Sequence, residues 1–207
     1  MRGRFITLEG GEGVGKSTNL ALLEELVRAA GYAVLTTREP GGTPLAEDIR
    51  ALFLDVRDEP VTGLTELLLI FAARAQHLET LIRPALSAGT WVICDRFTDA
   101  TYAYQGGGRG LPVSQIEMLE QLVQGEFQPD LTLYLDVPVE VGQARIEGRD
   151  HDRMEREQQA FFEAVRATYL DRAAREDRFR VVDASEPLPL VQARIREVMA
   201  AYLESGG

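Results

Sequence analysis

Short apolar runs alternate along the chain with longer stretches in which apolar residues recur at helical spacing. Residues 5–8 are apolar and partly β-branched, and glycines follow them at once, which predicts a buried strand. Leucines and a valine spaced three to four positions apart then predict a helix over residues 18–30, with Gly31 as its C-terminal cap. A strand followed by a helix is therefore the first unit of the chain.

The remaining pattern repeats this unit. Further strands are predicted at residues 33–37, 91–94, 131–135 and 179–182. Helices are predicted at residues 43–53, 61–87, 114–123, 138–147 and 187–203, with Ser114 as an N-cap. The glycine-rich segment 106–110 is predicted to be a flexible loop. Strands alternating with helices predict an α/β fold with a parallel sheet covered by helices on both faces.

Composition and charge narrow the class of protein. The 207 residues include 22 Lys+Arg against 33 Asp+Glu, a net charge of −11, and 45% are hydrophobic. This charge argues against nucleic-acid binding, because phosphate neutralisation needs a cationic face. The lone Cys94 excludes an internal disulfide, and no apolar run reaches the roughly 18 residues of a membrane span. Without a linker or secretory leader, residues 1–207 are expected to form one domain of a cytoplasmic protein without membrane partners.

Lysine usage singles out one position. The chain has 21 arginines and a single lysine, Lys16. A biased genome composition is the simplest cause of that imbalance. Lys16 is nevertheless a position where a compact ammonium group on a thin stem is expected to matter, since guanidinium is a broad planar fork.

Residues 10–17 match the phosphate-binding pattern G-x-x-x-x-G-K-[ST] between a predicted strand and a predicted helix. Glycines let backbone N–H groups turn towards an anion, and the helix adds its positive end. We expect ATP-type phosphates with Mg²⁺ here, with Lys16 on the β/γ-phosphates and the Ser17 hydroxyl on the metal. A plain glycine turn is the alternative. The donor-binding candidates are Gly10, Gly11, Glu12, Gly13, Val14, Gly15, Lys16, Ser17 and Thr18.

Two groups of charged residues favour phosphoryl transfer. Asp95 and Arg96 end the third predicted strand, where Asp95 can hold Mg²⁺ through water and Arg96 can reach a phosphate. Arginines near Gly148 predict a small mobile lid over about residues 143–156. A surface ion pair and a salt-bridged helix face are the respective alternatives. A GTPase is disfavoured, since no second lysine exists to complete an Asn-Lys-x-Asp base-recognition motif.

A base-binding pocket is predicted on the long helical stretch. Phe71 and Arg74 are three residues apart and so share a helix face. An aromatic ring can stack on a base, and a guanidinium can donate to a base carbonyl. Tyr102, Tyr104 and Gln105 could line the same pocket, with a role in packing as the alternative. The alternative places Phe71 in the core and Arg74 at the surface.

Taken in order, these segments resemble the bacterial thymidylate kinase family. The resemblance is carried by the phosphate loop and by residues 5–10, 38–44, 95–97, 103–110, 129–138 and 152–155. It covers nearly the whole chain and implies a P-loop NTPase fold, a three-layer sandwich with a five-stranded parallel sheet and an arginine-bearing lid. It also implies that ATP with Mg²⁺ phosphorylates dTMP to dTDP, a step towards dTTP.

The resemblance implies roles for single residues as well. Phe71 would stack on thymine, Arg74 would bond its O4, and Tyr104 would fill the space of a ribose 2′-OH. The implied catalytic residues are Lys16, Arg96, Arg149 and Arg153, and the implied metal-binding residues are Ser17 and Asp95. The implied acceptor-binding residues are Arg38, Glu39, Arg50, Phe71, Arg74, Arg96, Thr101, Tyr104 and Gln105. Thr101 would replace a serine that many members have where this chain has Ala100.

The oligomeric state and two alternative functions can also be predicted from the sequence. The family resemblance implies a homodimer, and the apolar stretch 61–82 could supply its surface, with simple core packing as the alternative. Another small-molecule kinase would share the loop and lid but differ in its acceptor pocket. A non-catalytic nucleotide-binding module is disfavoured by Asp95, Arg96 and the lid arginines.

Overall fold

A computed structural model describes residues 2–148 and 152–205 of the chain. The strands are β1 (Phe5–Gly10), β2 (Val34–Arg38), β3 (Trp91–Asp95), β4 (Leu131–Asp136) and β5 (Phe179–Asp183). The helices are α1 (Lys16–Ala29), α2 (Pro44–Leu54), α3 (Gly63–His77), α4 (Arg83–Ser87), α5 (Thr98–Thr101), α6 (Val113–Val123), α7 (Val139–Ile146), α8 (Gln159–Arg175) and α9 (Leu188–Glu204). Every predicted strand is present, and each ends one or two residues later than predicted.

The strands form one parallel sheet in the order β2-β3-β1-β4-β5. In the centre, β1 pairs with β3 through Leu8 opposite Asp95, and with β4 through Gly10 opposite Leu135. The carboxyl ends of β1 and β3 therefore lie side by side. This register brings the phosphate loop next to Asp95 and Arg96, as ligand groups at the carboxyl edge of a parallel sheet require.

Helices cover both faces of the sheet, which confirms the predicted α/β layering. On one face, Ile6 of β1 packs in a buried cluster with Leu23 of α1 and Ile195 of α9. On the opposite face, the adjacent Phe5 packs in a second cluster with Phe97 and the end of the long helical stretch. Neighbouring strand residues point to opposite faces, so β1 is buried from both sides.

Two helical stretches contain π-helical segments that the sequence pattern does not predict. The path over residues 61–87 is helical as predicted, but a π-helical segment, Leu78–Ile82, joins α3 to α4. The predicted flexible loop at 106–110 is wrong, because a π-helical segment, Tyr102–Gly108, continues α5. A Cβ on Gly108 would lie 2.4 Å from the Phe161 ring of α8, so this glycine permits close helix packing instead of flexibility.

The sequence pattern missed α8 and misplaced one helix cap. α8 buries Phe161, Phe162, Val165 and Tyr169, but alanines and charged residues are interspersed over its remaining positions, so its apolar stripe does not stand out. α6 begins at Val113, with Pro112 rather than the predicted Ser114 as the N-cap residue. None of the described helices is long and apolar enough to cross a membrane.

Candidate active site

Glycine conformations shape the phosphate loop between β1 and α1. Gly10, Gly13 and Gly15 adopt φ values of 149°, 69° and 87°, which side-chain-bearing residues rarely reach. A Cβ on Gly13 would lie 2.0 Å from the carbonyl oxygen of Gly142, so the loop packs directly on the α7 backbone. The loop is therefore supported from behind by a second helix.

The single lysine of the chain lies across this loop. Lys16 Nζ donates to the carbonyl oxygens of Gly10 and Gly11 at 3.2 and 2.7 Å. Burial and then the nearby Arg96 charge lower the pKa of Lys16, while Glu12 acts in the opposite direction. An anion beside the ammonium group would favour its charged form.

Arg96 joins the end of β3 to the phosphate loop. It is the only non-glycine with positive φ, 67°, in the described part of the chain. Its guanidinium donates to Gly10 O and to Glu12 Oε1, both at 2.6 Å, and lies 4.9 Å from the Tyr104 ring centroid. The Tyr104 hydroxyl also donates to Glu12 Oε1, at 2.9 Å. Arg96, Glu12 and Tyr104 therefore form one connected unit.

Beneath this unit lies a buried carboxylate that the sequence reasoning missed. Glu9 Oε1 accepts the Phe97 N–H, and Glu9 Oε2 accepts the Tyr169 hydroxyl, both at 2.7 Å. Burial, with the neighbouring Asp99 charge, raises the pKa of Glu9 to about 7. Glu9 thus fixes the backbone next to the left-handed Arg96. A glutamate closing an otherwise apolar strand was the available signal.

The carboxyl edge offers oxygen ligands for a divalent cation. Asp95 Oδ1 is buried, and the described residues supply no hydrogen-bond partner for it. Asp95 and Ser17 line the same cavity. Carboxylate and hydroxyl oxygens suit Mg²⁺, which usually keeps few protein ligands beside water and phosphate. Residues 2–148 and 152–205 contain no group of three or more His, Cys, Asp or Glu residues placed to hold a metal ion.

Arg74 is held rigidly on the opposite wall of that cavity. Its Nε donates to Glu39 Oε2 at 2.7 Å, and its Nη2 donates to Thr101 Oγ1 at 3.0 Å. The guanidinium carbon lies 4.8 and 5.0 Å from the ring centroids of Phe71 and Phe97. Arg74 is only 1% exposed, yet its Nη1 finds no partner among the described residues. A buried donor without a partner points to a ligand, because a buried donor that forms no hydrogen bond costs about 1–3 kcal/mol.

One cavity of about 690 Å³ joins these groups. It runs from the phosphate loop past Asp95 and Arg96 to Arg74. The predicted site residues that line it are Glu12, Gly13, Val14, Gly15, Lys16, Ser17, Thr18, Glu39, Arg50, Arg74, Asp95, Arg96, Thr101, Tyr104 and Gln105. Its volume lies within the usual range of ligand-binding sites.

The expected base-stacking ring lies elsewhere. Phe71 is 2% exposed and packs in a core cluster with Leu67, Tyr102 and Ile116. The preceding residue, Ile70, lines the cavity instead. The core alternative for Phe71 therefore describes its position, whereas Arg74 is buried and not at the surface. A helical spacing rule could not choose between two adjacent apolar residues.

The two arginines expected near the acceptor phosphate also differ. Arg50 lines the cavity, and its Nη1 donates to Pro40 O at 2.9 Å. Burial and the nearby Arg38 lower the pKa of Arg50. Arg38 forms a bidentate pair with Glu47, at 3.2 and 2.8 Å, on the outer surface. Arg50 is therefore the better placed of the two.

The lid arginines occupy different environments. Arg153 Nη1 binds Glu66 at 2.5 Å, and its Nε and Nη2 donate to Phe53 O at 3.0 and 2.9 Å. These contacts attach the C-terminal part of the predicted lid to α2 and α3. Arg145 lines the cavity. The predicted catalytic Arg149 lies outside the described residues.

Glu66 is a second buried carboxylate that the sequence did not single out. It accepts Arg109 Nη2 at 2.9 Å and Arg153 Nη1, and it accepts Gln105 Nε2 at 3.3 Å. The predicted site residue Gln105 is thereby linked to the lid segment. An acidic residue inside a predominantly apolar helix was the only sequence signal for this role.

A phosphate loop at the carboxyl edge of a parallel sheet, facing a buried donor across one cavity, defines a nucleotide-dependent phosphotransferase with the P-loop NTPase fold. The family model for thymidylate kinase matches residues 8–195. The chain belongs to the thymidylate kinase family, whose members phosphorylate dTMP to dTDP with ATP. The resemblance in the sequence is thereby confirmed.

Individual relatives support this assignment over the full chain. A thymidylate kinase of Ectopseudomonas mendocina is 60% identical over 207 residues, covering 99% of each chain. One from Teredinibacter turnerae is 57% identical over 205 residues, covering 98% of this chain and 100% of the relative. The crystal structure of thymidylate kinase from Ehrlichia chaffeensis matches with a TM-score of 0.77 and 35% identity, covering 97% of this chain and 99% of that one.

Proposed function

We propose that this chain transfers the γ-phosphoryl group of ATP to dTMP inside the 690 Å³ cavity, with Mg²⁺ at Ser17 and Asp95. The observation that carries the proposal is Arg74, which lines the same cavity as the phosphate loop and keeps a buried Nη1 without a partner among the described residues. A phosphate anchor and a base-directed donor on opposite walls are what a monophosphate acceptor needs.

The donor half of the reaction is assigned to the phosphate loop. Lys16 supplies charge to the β- and γ-phosphates, and the loop amides hold their oxygens. Ser17 would ligate Mg²⁺ directly, and Asp95 would hold it through water. When bound, the cation neutralises phosphate charge and orients the transferred group.

The acceptor half is assigned to Arg96, Arg50 and Arg74. Arg96 and Arg50 would bind the 5′-phosphate, and Arg74 Nη1 would donate to a carbonyl oxygen of the base. The acceptor phosphate is already anionic at neutral pH, so no general base is required. Positioning and cationic charge overcome the repulsion between the two anions.

Two smaller assignments concern selectivity and closure. Tyr104 is held by Glu12 and Arg96, which supports its role of filling the space of a ribose 2′-OH. Arg149 and Arg153 remain the proposed lid arginines over about residues 143–156 of a single domain. For Arg153, this role requires release from Glu66 when nucleotides bind.

We also propose a homodimer in the cytoplasm. Leu64 and Leu68 of α3 are each 50% exposed, and Met118 and Leu122 of α6 are 71% and 77% exposed. Each pair is four residues apart, so both members share a helix face. A second copy would cover this apolar surface, and Met118→Glu should then give a monomer in sedimentation.

The test of the proposed reaction is ADP release with ATP, Mg²⁺ and one monophosphate at a time. We expect the highest kcat/KM with dTMP, followed by dUMP, with dCMP and dGMP poor. Preference for a purine monophosphate would indicate another small-molecule kinase. ATP binding without turnover on any of the four acceptors would indicate a non-catalytic module.

A further inference from the structure

A relay of buried polar side chains runs from the sheet to the base-directed arginine. Thr37 Oγ1 lies 2.7 Å from His77 Nε2, and His77 Nδ1 lies 3.1 Å from Glu39 Oε1. The other carboxylate oxygen, Glu39 Oε2, accepts Arg74 Nε at 2.7 Å. The four residues Thr37, His77, Glu39 and Arg74 are called the relay below.

The Glu39 carboxylate sets the direction of the hydrogen bonds in the relay. The Glu39 carboxylate can only accept, so His77 Nδ1–H donates to it. In the neutral ring the other nitrogen must then accept, and the Thr37 hydroxyl donates to His77 Nε2. Each member therefore has one orientation that satisfies both of its neighbours.

The fold closes tightly around the relay. Arg74 and His77 are three residues apart on α3, so both face the loop that carries Glu39. A Cβ on Gly42 would lie 2.3 Å from His77 Nε2 and 2.4 Å from Thr37 Oγ1, so the loop backbone lies directly against their hydrogen bond. His77 is fully buried, so its ring has little room to adopt another pose.

The geometry fixes where Arg74 points. The two oxygens of Glu39 are occupied by different partners, which prevents the carboxylate from rotating about its own axis. The fixed Oε2 holds Arg74 Nε, and Thr101 holds Nη2, so Nη1 is the guanidinium nitrogen left without a partner in a residue that lines the cavity. Without His77, Glu39 loses the contact that defines its orientation.

We propose that His77 is a positioning residue for acceptor-base recognition, acting on Arg74 through Glu39. The inference rests on the proposed function in one respect, that Arg74 Nη1 donates to the 4-oxo group of the acceptor base. Its consequence is selectivity: a correctly aimed donor favours the 4-oxo group of thymine and disfavours the 4-amino group of cytosine.

The experiment measures kcat/KM for dTMP and for dCMP in four variants. His77→Leu removes both hydrogen bonds of the ring while retaining apolar volume. We expect it to raise KM for dTMP about tenfold and to lower the dTMP:dCMP ratio of kcat/KM about tenfold, as for one misaligned hydrogen bond. The kcat at saturating dTMP and the KM for ATP should change less than about threefold.

His77→Asn is the matched rescue variant, because its amide N–H can occupy the position of Nδ1 and donate to Glu39. We expect it to restore the dTMP:dCMP ratio to within about threefold of the parent. Thr37→Val keeps the side-chain shape but removes the hydroxyl donor, and should lower the ratio by about threefold. If His77→Leu fails to fold, Thr37→Val decides the question alone.

Calorimetric dTMP binding provides a readout independent of turnover and should weaken in step with the ratio. An unchanged ratio in His77→Leu and Thr37→Val would overturn the role of His77. Arg74→Lys separates the two claims, since it keeps the charge but loses Nη1. If Arg74→Lys leaves the dTMP:dCMP ratio of kcat/KM unchanged, the proposed contact between Arg74 and the base is wrong. If Arg74→Lys removes the preference for dTMP and His77→Leu does not, only the proposed role of His77 is wrong.

Discussion

The two walls of the cavity are built on different principles. The donor wall is one continuous segment, residues 10–17, whose shape comes from glycine backbone conformations and one lysine. The acceptor wall is assembled from distant segments, and its central contact joins Arg74 to Glu39, 35 positions apart. Backbone groups bind any triphosphate, whereas a fixed side-chain network can distinguish one base from another.

This difference predicts how each wall fails. A change to Lys16 in the donor wall should remove turnover while leaving the fold largely intact, because its ammonium group bonds only loop carbonyl oxygens. A change in the acceptor wall should disturb a buried hydrogen-bond network and so affect affinity, selectivity and stability together. The four predictions that follow test this division, from the largest effect to the smallest.

The largest effect is expected for Lys16→Ala. It removes the only mobile cation of the donor wall, and we expect kcat to fall roughly 10³-fold or more with no change in the folded circular-dichroism spectrum. Arg28→Ala is the control, since it removes a cation of the same helix that forms an exposed pair with Glu24. Near-normal turnover of Lys16→Ala would remove Lys16 from the mechanism.

Glu9 gives the donor side a pH-dependent stability. Its pKa, raised from 4.5 to about 7, means that the folded protein retains a proton that the unfolded chain has released. The protonated Glu9 therefore adds to the free energy of unfolding in full below pH 4.5, and this contribution is lost as the pH rises through 7. When the pH is raised from 5 to 8, the free energy of unfolding of the parent, measured in urea, should fall by about 2–3 kcal/mol more than that of Glu9→Gln.

The control for that measurement is Glu24→Gln, an exposed carboxylate on α1. It should leave the pH dependence of the parent unchanged. Identical pH slopes for the parent and Glu9→Gln would mean that Glu9 is ionised throughout the range.

Arg50 and Arg38 form a matched pair at the acceptor wall. Arg50→Ala should raise KM for dTMP about 10- to 100-fold, the worth of one charge-assisted hydrogen bond in the cavity. Arg38→Ala should raise it by less than about threefold, because its guanidinium pairs with Glu47 in solvent. The reverse order would show that nucleotide binding draws Arg38 inward.

Arg153→Ala tests the contact between the lid segment and the acceptor wall. Loss of one buried partner of Glu66 should lower the free energy of unfolding by about 1–3 kcal/mol, measured in urea. If Arg153 also reaches the transferred phosphoryl, we expect the fold-decrease in kcat to exceed the fold-change in KM for ATP. Arg175→Ala, in an exposed pair with Asp171, should cost less than about 0.5 kcal/mol. Unchanged stability and kcat would leave Arg153 without either role.

Sequence reasoning succeeded where structure is local. The phosphate loop and the Asp95–Arg96 pair follow from a short motif and from strand ends, and the sheet register brings them together. The same reasoning could not determine that Arg74 is buried, because its partners Glu39 and Thr101 lie far away in the chain. Helical spacing also could not distinguish Ile70 from Phe71 as the cavity residue.

The remaining errors have the same physical origin. The glycines at 106–108 suggested flexibility, but Gly108 is required by the close approach of Phe161 from α8. α8 itself was missed because its buried stripe is interrupted by surface charge. Glu9 and Glu66 were overlooked because their importance comes from partners such as Tyr169 and Arg109, which only the folded chain brings near.

The most direct measurement is a crystal structure with dTMP, Mg²⁺ and an unreactive ATP analogue. We expect the γ-phosphate at Lys16, the dTMP phosphate at Arg96, and Arg74 Nη1 within hydrogen-bond distance of the 4-oxo group of thymine. A thymine ring bound elsewhere, with Arg74 Nη1 still unpartnered, would contradict this expectation.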